Sequence, residues 1–298
     1  MHLKKGFWIF YGEDISFTLT NKEEIGARPR TMMINVLVTG ALGKMGREVC
    51  KGVVLADDLR LVGAVDVRGE EQDIGTVLGV GEVGVPVKND LAGELSQKTP
   101  DVLVDFTVPA AAAANVKTAL RRKVRPVVGT TGMTAEEIKE IAEIAGESGV
   151  GGIIAPNFAI GAVLMINFAV QAARYFPSVE IIELHHDQKL DAPSGTAMKT
   201  AQALVEARGD FPPGGRVEIE KLPGVRGGCL DGGIRLHSVR LPGLVAHQEV
   251  IFGGVGQTLT IRHDSISRES FMPGVLLAIR KVMNLDKIVF GLESLLFE

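Results

Sequence analysis

Glu183-Leu184-His185-His186-Asp187-Gln188-Lys189-Leu190-Asp191-Ala192-Pro193-Ser194-Gly195-Thr196-Ala197 places two imidazoles, an ammonium and a Ser-Gly-Thr turn within fifteen positions. The apolar residues just before it, Val179, Ile181 and Ile182, predict a strand. Neighbouring side chains on an extended chain point to opposite faces, so His185 and His186 take different tasks, one facing a ligand while the other braces the site. Lys189 adds a mobile cation a few residues on. Ser194 is placed to cap a helix whose first N–H groups, near Gly195 and Thr196, stay open to a carboxylate or phosphate. The combination predicts a site for a small anionic substrate with an acid or base beside it. The histidine pair lacks the i, i+4 spacing of a helical zinc motif and has no obvious third ligand, and Cys50 and Cys229 are distant, so no metal is expected.

The chain that positions this stretch has 298 residues, enough for a substantial core and a better fit to two domains than to one. Its 46% hydrophobic and 23% charged content is that of an ordinary globular protein. A net charge of −4 gives no support for a nucleic-acid partner, and the cluster of Arg121, Arg122, Lys123 and Arg125 reads as a solvated helix end. Two widely separated cysteines fit a reducing, cytoplasmic setting, with Cys50 buried and inert inside a helix. The longest apolar stretch, residues 153–170, is interrupted by Pro156, Asn157, Gly161 and Asn167, so no membrane span is expected.

Residues 1–32 do not share the pattern that follows. Lys4 and Lys5 precede a short apolar run that Glu13 and Asp14 end, which argues against an export signal; a poorly ordered extension is expected, with Met32 or Met33 as the true start. From Ile34 the order is strand (34–39), glycine turn (40–46) and helix (47–55). Gly40, Gly43 and Gly46 form a variant of the dinucleotide fingerprint, in which the first permits the turn, the second admits a pyrophosphate and the third lets helix and sheet pack closely. A second strand, 61–65, leads to Asp66, where a carboxylate would accept the hydroxyls of an adenosine ribose and disfavour a 2′-phosphate. Arg68 leaves that phosphate a partner, so NADH is expected and NADPH stays open.

Further strands at 102–107, 126–128 and 152–155 alternate with helices at 109–120 and 135–145, which predicts a Rossmann-like, doubly wound parallel sheet. Thr107, Gly129, Thr130, Thr131 and the run of Ala155, Pro156, Asn157 and Phe158 then lie at the carboxyl ends of strands, the usual lining of the ligand cleft. Beyond them a helix at 160–176, a second helix at 196–207 and a Pro/Gly loop at 210–215 precede alternating segments at 217–220, 234–239, 249–252 and 257–262. These predict a second, α+β domain with an antiparallel or mixed sheet, followed by a helix at 271–282 that returns to the first domain. Arg240 and His237, on a strand next to the histidine pair, are expected to add positive field.

The segments Gly40-Ala41-Leu42-Gly43-Lys44-Met45-Gly46-Arg47, Asp105-Phe106-Thr107, Gly129-Thr130-Thr131-Gly132, Ala155-Pro156-Asn157-Phe158 and 183–197 together resemble bacterial dihydrodipicolinate reductase, in that family's order and over residues 34–290. The resemblance implies reduction of 4-hydroxy-tetrahydrodipicolinate, with loss of water, to tetrahydrodipicolinate in the diaminopimelate route to lysine, using NADH or NADPH. It implies His185 as proton donor, Lys189 as catalytic cation, and His186, Gly195 and Thr196 as holders of the dicarboxylate substrate. It assigns the cofactor to Gly40, Ala41, Leu42, Gly43, Lys44 and Met45, to Asp66, to Gly129, Thr130 and Thr131, and to Ala155, Pro156, Asn157 and Phe158. Residues 33–158 would bind the dinucleotide, 159–265 the substrate and the other subunits of a homotetramer, and 266–298 would return to the first domain. Many relatives carry a basic residue directly after the acidic one that ends the second strand; Val67 stands there in this chain, which favours NADH. A semialdehyde dehydrogenase would need an activated cysteine, and a cofactor-sensing regulator would not need His185, Lys189 and the Ser-Gly-Thr turn together.

Overall fold

The computed structural model describes residues 33–69, 71–208 and 219–297, and both the N-terminal segment and the 210–215 loop lie outside them. Among the described residues the chain forms two sheets. The first begins with β1 (Ile34–Thr39), α1 (Lys44–Val54) and β2 (Leu59–Val65). Val36, Leu37 and Val38 are fully buried, because helices cover both faces of a parallel sheet and leave no solvent side for alternation to serve. Helix α1 starts at Lys44, earlier than position 47, since the glycine turn runs straight into it with Gly43 as the N-cap.

The chain then moves out to one edge through α2 (Ile74–Leu78) and β3 (Val87–Lys88), and α3 (Leu91–Lys98) brings it back. These three short elements escaped the sequence reading; each is too brief to show a period, and the caps Asp73 and Asp90 are the local signals for the two helices. The other half follows as β4 (Val102–Asp105), α4 (Pro109–Arg121), β5 (Arg125–Val128), α5 (Ala135–Ser148) and β6 (Gly152–Ile154). With the last strand, β12 (Ile288–Phe290), the order is β12-β6-β5-β4-β1-β2-β3, and every pairing in it is parallel. The expected doubly wound sheet is present, and its direction reverses between β1 and β4, where ligands bind in such sheets.

The second sheet comprises β7 (Ser178–His185), β8 (Gly228–Cys229), β9 (Arg235–Arg240), β10 (Ala246–Gly254) and β11 (Gln257–Ser265), in the order β11-β10-β7-β9-β8. It is mixed: β7 pairs antiparallel with β10 and parallel with β9, because the intervening α7 (Gly195–Arg208) carries the chain back to the start of the sheet before β9 begins. The strand expected at 217–220 is not found in its described half. Ile219 and Glu220 lie outside any strand, Ile219 is exposed, and the short edge strand is β8 instead. Helices α6 (Ile160–Ala173) and α7 cover one face, burying Ala169, Val179, Ile181, Leu204, Val250 and Phe252 in a common core.

After β11 the helix α8 (Met272–Lys281) joins the core of the first sheet, where Val275, Ala278 and Ile279 pack with Val49, Cys50 and Val53 of α1. Gly274 sits flush against the backbone carbonyl of Phe158, with no room for a Cβ. The loop that follows β6 is thereby held from behind. The short helix α9 (Glu293–Leu296) then reaches α7 through an ion pair between Lys199 and Glu293 at 2.7 Å.

Candidate active site

The glycine turn after β1 is shaped by what its residues lack. Gly40 has φ +74°, and a Cβ there would press on the Phe106 carbonyl; a Cβ on Gly46 would collide with the carbonyl of Gly40. No side chain caps α1 at Gly43, so its first N–H groups face outward as an anion site. Asp66, nearly buried at the end of β2, accepts from the N–H of Leu42 at 3.0 Å and of Arg68 at 3.1 Å, with the Arg68 Nε at 3.6 Å. A cavity of about 420 Å³ opens here, lined by Gly40, Gly43, Asp66, Arg68, Thr107 and Asn115 among others. Ala41 is buried beneath it.

Asp105, at the end of β4, is fully buried and gathers the surrounding loops. Its carboxylate accepts from Thr39 Oγ1 at 2.9 Å, Asn115 Nδ2 at 2.8 Å, Thr130 Oγ1 at 2.8 Å, and both the N–H and the hydroxyl of Thr107 at 3.1 and 2.7 Å. The ends of β1, β4 and β5 are thus tied to one anion. Gly129 leaves space for the Phe106 ring, which packs against Phe158 with centroids 5.9 Å apart. Ala155 and Phe158 are buried behind the loop, while Pro156 and Asn157 project into the space between the two sheets.

On the second sheet the central strand β7 delivers Glu183 and His185 to the same face, two residues apart. Glu183 has no solvent exposure, and its side chain is enclosed by donors. Arg240 on β9 approaches it end-on, Nη2 to Oε1 at 2.8 Å and Nη1 to Oε2 at 2.9 Å; the Ser194 N–H lies 3.2 Å from Oε1, and His185 Nδ1 lies 2.5 Å from Oε2. Burial pushes the Glu183 carboxyl up, but hydrogen bonds from Arg240, Ser238 and His185 outweigh it and hold the group below its ordinary range. The His185 imidazole is shifted down from its ordinary value, first by burial and then by the charges of Lys189 and Arg240, against the pull of Glu183.

Lys189 Nζ is clasped by both oxygens of Asp191 at 2.7 and 2.8 Å, and the Asp191 carbonyl in turn accepts from Arg240 Nη2 at 2.8 Å. Ser194 caps α7 by accepting from the Ala197 N–H at 3.2 Å, as its position in the sequence suggests. A cavity of about 700 Å³ collects His185, Lys189, Gly195 and Thr196 from this side and Thr131, Pro156 and Asn157 from the first sheet. His185 also borders a smaller chamber of about 180 Å³ with His247, Gln248 and His263.

Of the residues expected from the sequence, Gly40, Gly43 and Asp66 line the cavity at the glycine turn and Thr131, Pro156, Asn157, His185, Lys189, Gly195 and Thr196 the one at His185, whereas Leu42, Lys44, Met45 and Gly129 line neither and Ala41, Thr130, Ala155 and Phe158 are buried. His186 is not among the residues lining these cavities; its carbonyl accepts from the Lys189 N–H. His237 turns to the other face of the sheet and binds Glu180 at 2.8 Å, away from the cavity. Arg240 is committed to Glu183 rather than free for a ligand. Asp105 and Glu183 were written within the recognised motifs but carried no role there. For Glu183 the i, i+2 spacing to His185 on a strand was the available signal, whereas among the donors around Asp105 only Thr107, two residues on, is local in the sequence. The Cys50 thiol is buried and pushed up to about 12, which excludes it as a nucleophile.

Two family models match: dihydrodipicolinate reductase, N-terminus, over residues 34–158, and dihydrodipicolinate reductase, C-terminus, over residues 161–296. A 4-hydroxy-tetrahydrodipicolinate reductase of Moorella thermoacetica is 54% identical over 263 residues, covering 88% of this chain and 98% of its own. One from Halalkalibacterium halodurans is 55% identical over 264 residues, covering 89% and 100%. Among solved structures, a dipicolinate-bound dihydrodipicolinate reductase from a Paenisporosarcina species matches with a TM-score of 0.79 and 47% identity, over 88% of this chain and 99% of that one. An amine dehydrogenase from Mycobacterium smegmatis, 18% identical over 86% of this chain and 94% of its own with a TM-score of 0.62, shares the fold. With both halves of the chain matched in order and the glycine turn, Asp66 and the His185 stretch in place, the chain belongs to the dihydrodipicolinate reductase family of oxidoreductases.

Proposed function

We propose that this protein reduces 4-hydroxy-tetrahydrodipicolinate to tetrahydrodipicolinate, with loss of water, in the cytoplasm as a step of the diaminopimelate route to lysine. The observation that carries the reading is the shared cavity, in which Thr131, Pro156 and Asn157 of the dinucleotide side meet His185, Lys189, Gly195 and Thr196. The residues present fit a dinucleotide: a turn too tight for any Cβ at Gly40 and Gly46, an uncapped helix start, and a carboxylate at Asp66. Gly40 to Met45 would hold the pyrophosphate, Asp66 the ribose, and the loops at Gly129 and Ala155 the nicotinamide end. When bound, the reduced nicotinamide supplies a hydride to the substrate ring.

The protein's own part is to hold the dicarboxylate and to supply a proton. The N–H groups of Gly195 and Thr196, at the start of the 14-residue helix α7, take one carboxylate. Lys189 leaves Asp191 for the substrate and opposes the negative charge that develops as hydride arrives. His185, with Nδ1 turned to Glu183, gives its proton from Nε2. The resemblance also gives His186 to the substrate. Asp66 favours NADH, and the exposed Arg68 beside it lets NADPH serve as well. The resemblance further supports a homotetramer assembled through the second sheet.

The test is oxidation of NADH, and separately NADPH, followed by loss of nicotinamide absorbance while dihydrodipicolinate synthase generates the substrate in situ. Substrate-dependent oxidation that drops on the order of a hundredfold or more in His185→Gln and in Lys189→Ala is expected. Folded protein that binds NADH and oxidises neither cofactor would remove the reading. The same preparation sedimenting as a monomer would remove the assembly.

A further inference from the structure

His185 is served by a second residue that the family assignment does not supply. We propose that Glu183, clamped by Arg240, is a positioning residue that fixes the tautomer and the orientation of the His185 ring. The inference rests on the reading of His185 as proton donor given above.

An ionised carboxylate without solvent persists only where donors replace the lost water. Glu183 has them: the two Nη groups of Arg240, the Ser194 N–H and His185. Because the carboxylate stays charged, it can only accept, so the ring nitrogen facing it must carry the proton. Nδ1 is therefore protonated in either state of His185, and the proton that comes and goes is on Nε2. A ring free to take the other tautomer would present a protonated Nε2 when neutral, unable to accept the next proton there.

Arg240 serves both arms of the site. Besides holding Glu183, its Nη2 binds the Asp191 carbonyl, and the Asp191 carboxylate is the partner of Lys189. One guanidinium thus relates the position of the imidazole to that of the ammonium. The other charged or titratable groups bordering the cavities around His185 are His247 on β10, His263 on β11, Lys199 on α7 and Glu293 on α9. His247 is engaged by Asp264 at 2.6 Å and by the Val245 N–H at 3.2 Å, and the one acid among these groups, Glu293, is engaged by Lys199, so Glu183 is the anion that faces His185.

The experiment compares wild type, Glu183→Gln, the double variant Glu183→Gln/Arg240→Met and His185→Gln. It measures the pH profile of kcat, NADH affinity by fluorescence, and the tautomer of His185 by nitrogen NMR. Glu183→Gln removes the charge that favours protonated His185 and leaves Arg240 and Lys189 opposing it. The limb on which kcat falls with rising pH is then expected to move toward acid by about 1–3 units, as loss of a close opposite charge does. The Nδ1–H tautomer of wild type becomes mixed, and NADH affinity stays within about twofold. The double variant, which leaves no unpaired buried charge, carries the same readouts if the single one fails to fold. A lower kcat with an unmoved limb and an unchanged tautomer would overturn the proposal and leave Glu183 a structural residue. Full activity in His185→Gln would instead sink the proton-donor reading.

Discussion

Asp105 shows how one buried residue can tie together the ends of several strands. Its carboxylate receives donors from Thr39, Thr107, Asn115 and Thr130, drawn from the ends of β1, β4 and β5 and from α4. Asp105→Ala takes this acceptor from the buried hydroxyls of Thr39 and Thr130, at about 1–3 kcal/mol for each buried donor left unpaired, and from the partly exposed Thr107 and Asn115. Thermal unfolding is expected to show a clear loss of stability, and titration with NADH a loss of affinity, since the same loops line the cofactor side. A variant as stable as wild type would mean that water or a neighbouring group takes over the donors. The residues of this site were legible in unequal measure. His185, Lys189, Gly195 and Thr196 could be read because their chemistry is written in one continuous run. Asp105 could be named but not explained, because apart from Thr107, two residues on, its partners lie 10 to 66 positions away and only the folded sheet brings them together.

At the scale of elements, the glycine turn and α1 make a sharper case, because two helical glycines of one chain have opposite expectations. Gly46→Ala drives a methyl into the Gly40 carbonyl and must push α1 off the turn, so dinucleotide affinity falls together with stability. Gly146, in α5, has nothing within 4 Å of the position a Cβ would take. Gly146→Ala should raise stability by about 0.5–1 kcal/mol, the ordinary gain of replacing glycine in a helix, with no effect on cofactor binding. Denaturant unfolding and NADH titration of both variants check the pair; equal effects at the two sites would undo the packing argument. Elements with long apolar periods, such as β1, α4 and α6, were predicted close to their observed bounds. The failures have local causes. The three elements between residues 74 and 98 are too short for a period, and of the segment expected as a strand at 217–220 the described residues, Ile219 and Glu220, have the alternation of a strand but lie outside any.

At the scale of the whole molecule, the buried charges decide how the fold responds to acid. His185 and His263 both titrate below their ordinary value, chiefly because burial disfavours the charged imidazole. As pH falls below about 6.5, the unfolded chain takes up protons that the folded one refuses, so these two groups make stability decline with acidification. Glu180 and Glu183 are held low despite burial, by Arg226 with His237 and by Arg240 with Ser238 and His185. Their contribution is present above the unfolded carboxyl value and is lost as pH falls through the depressed folded one, so it extends the decline in the same direction. The two effects come from opposite charge types yet share a sign, because each folded group binds fewer protons than its unfolded counterpart. Unfolding free energy measured by denaturant from about pH 8 to about pH 4 should therefore hold near neutrality and then fall in two successive stages, imidazoles first and carboxylates later. A profile that stays flat below about pH 6.5 until the carboxylates titrate would show that His185 and His263 accept protons in the folded protein as readily as in the unfolded chain, and would place water inside the chamber they border.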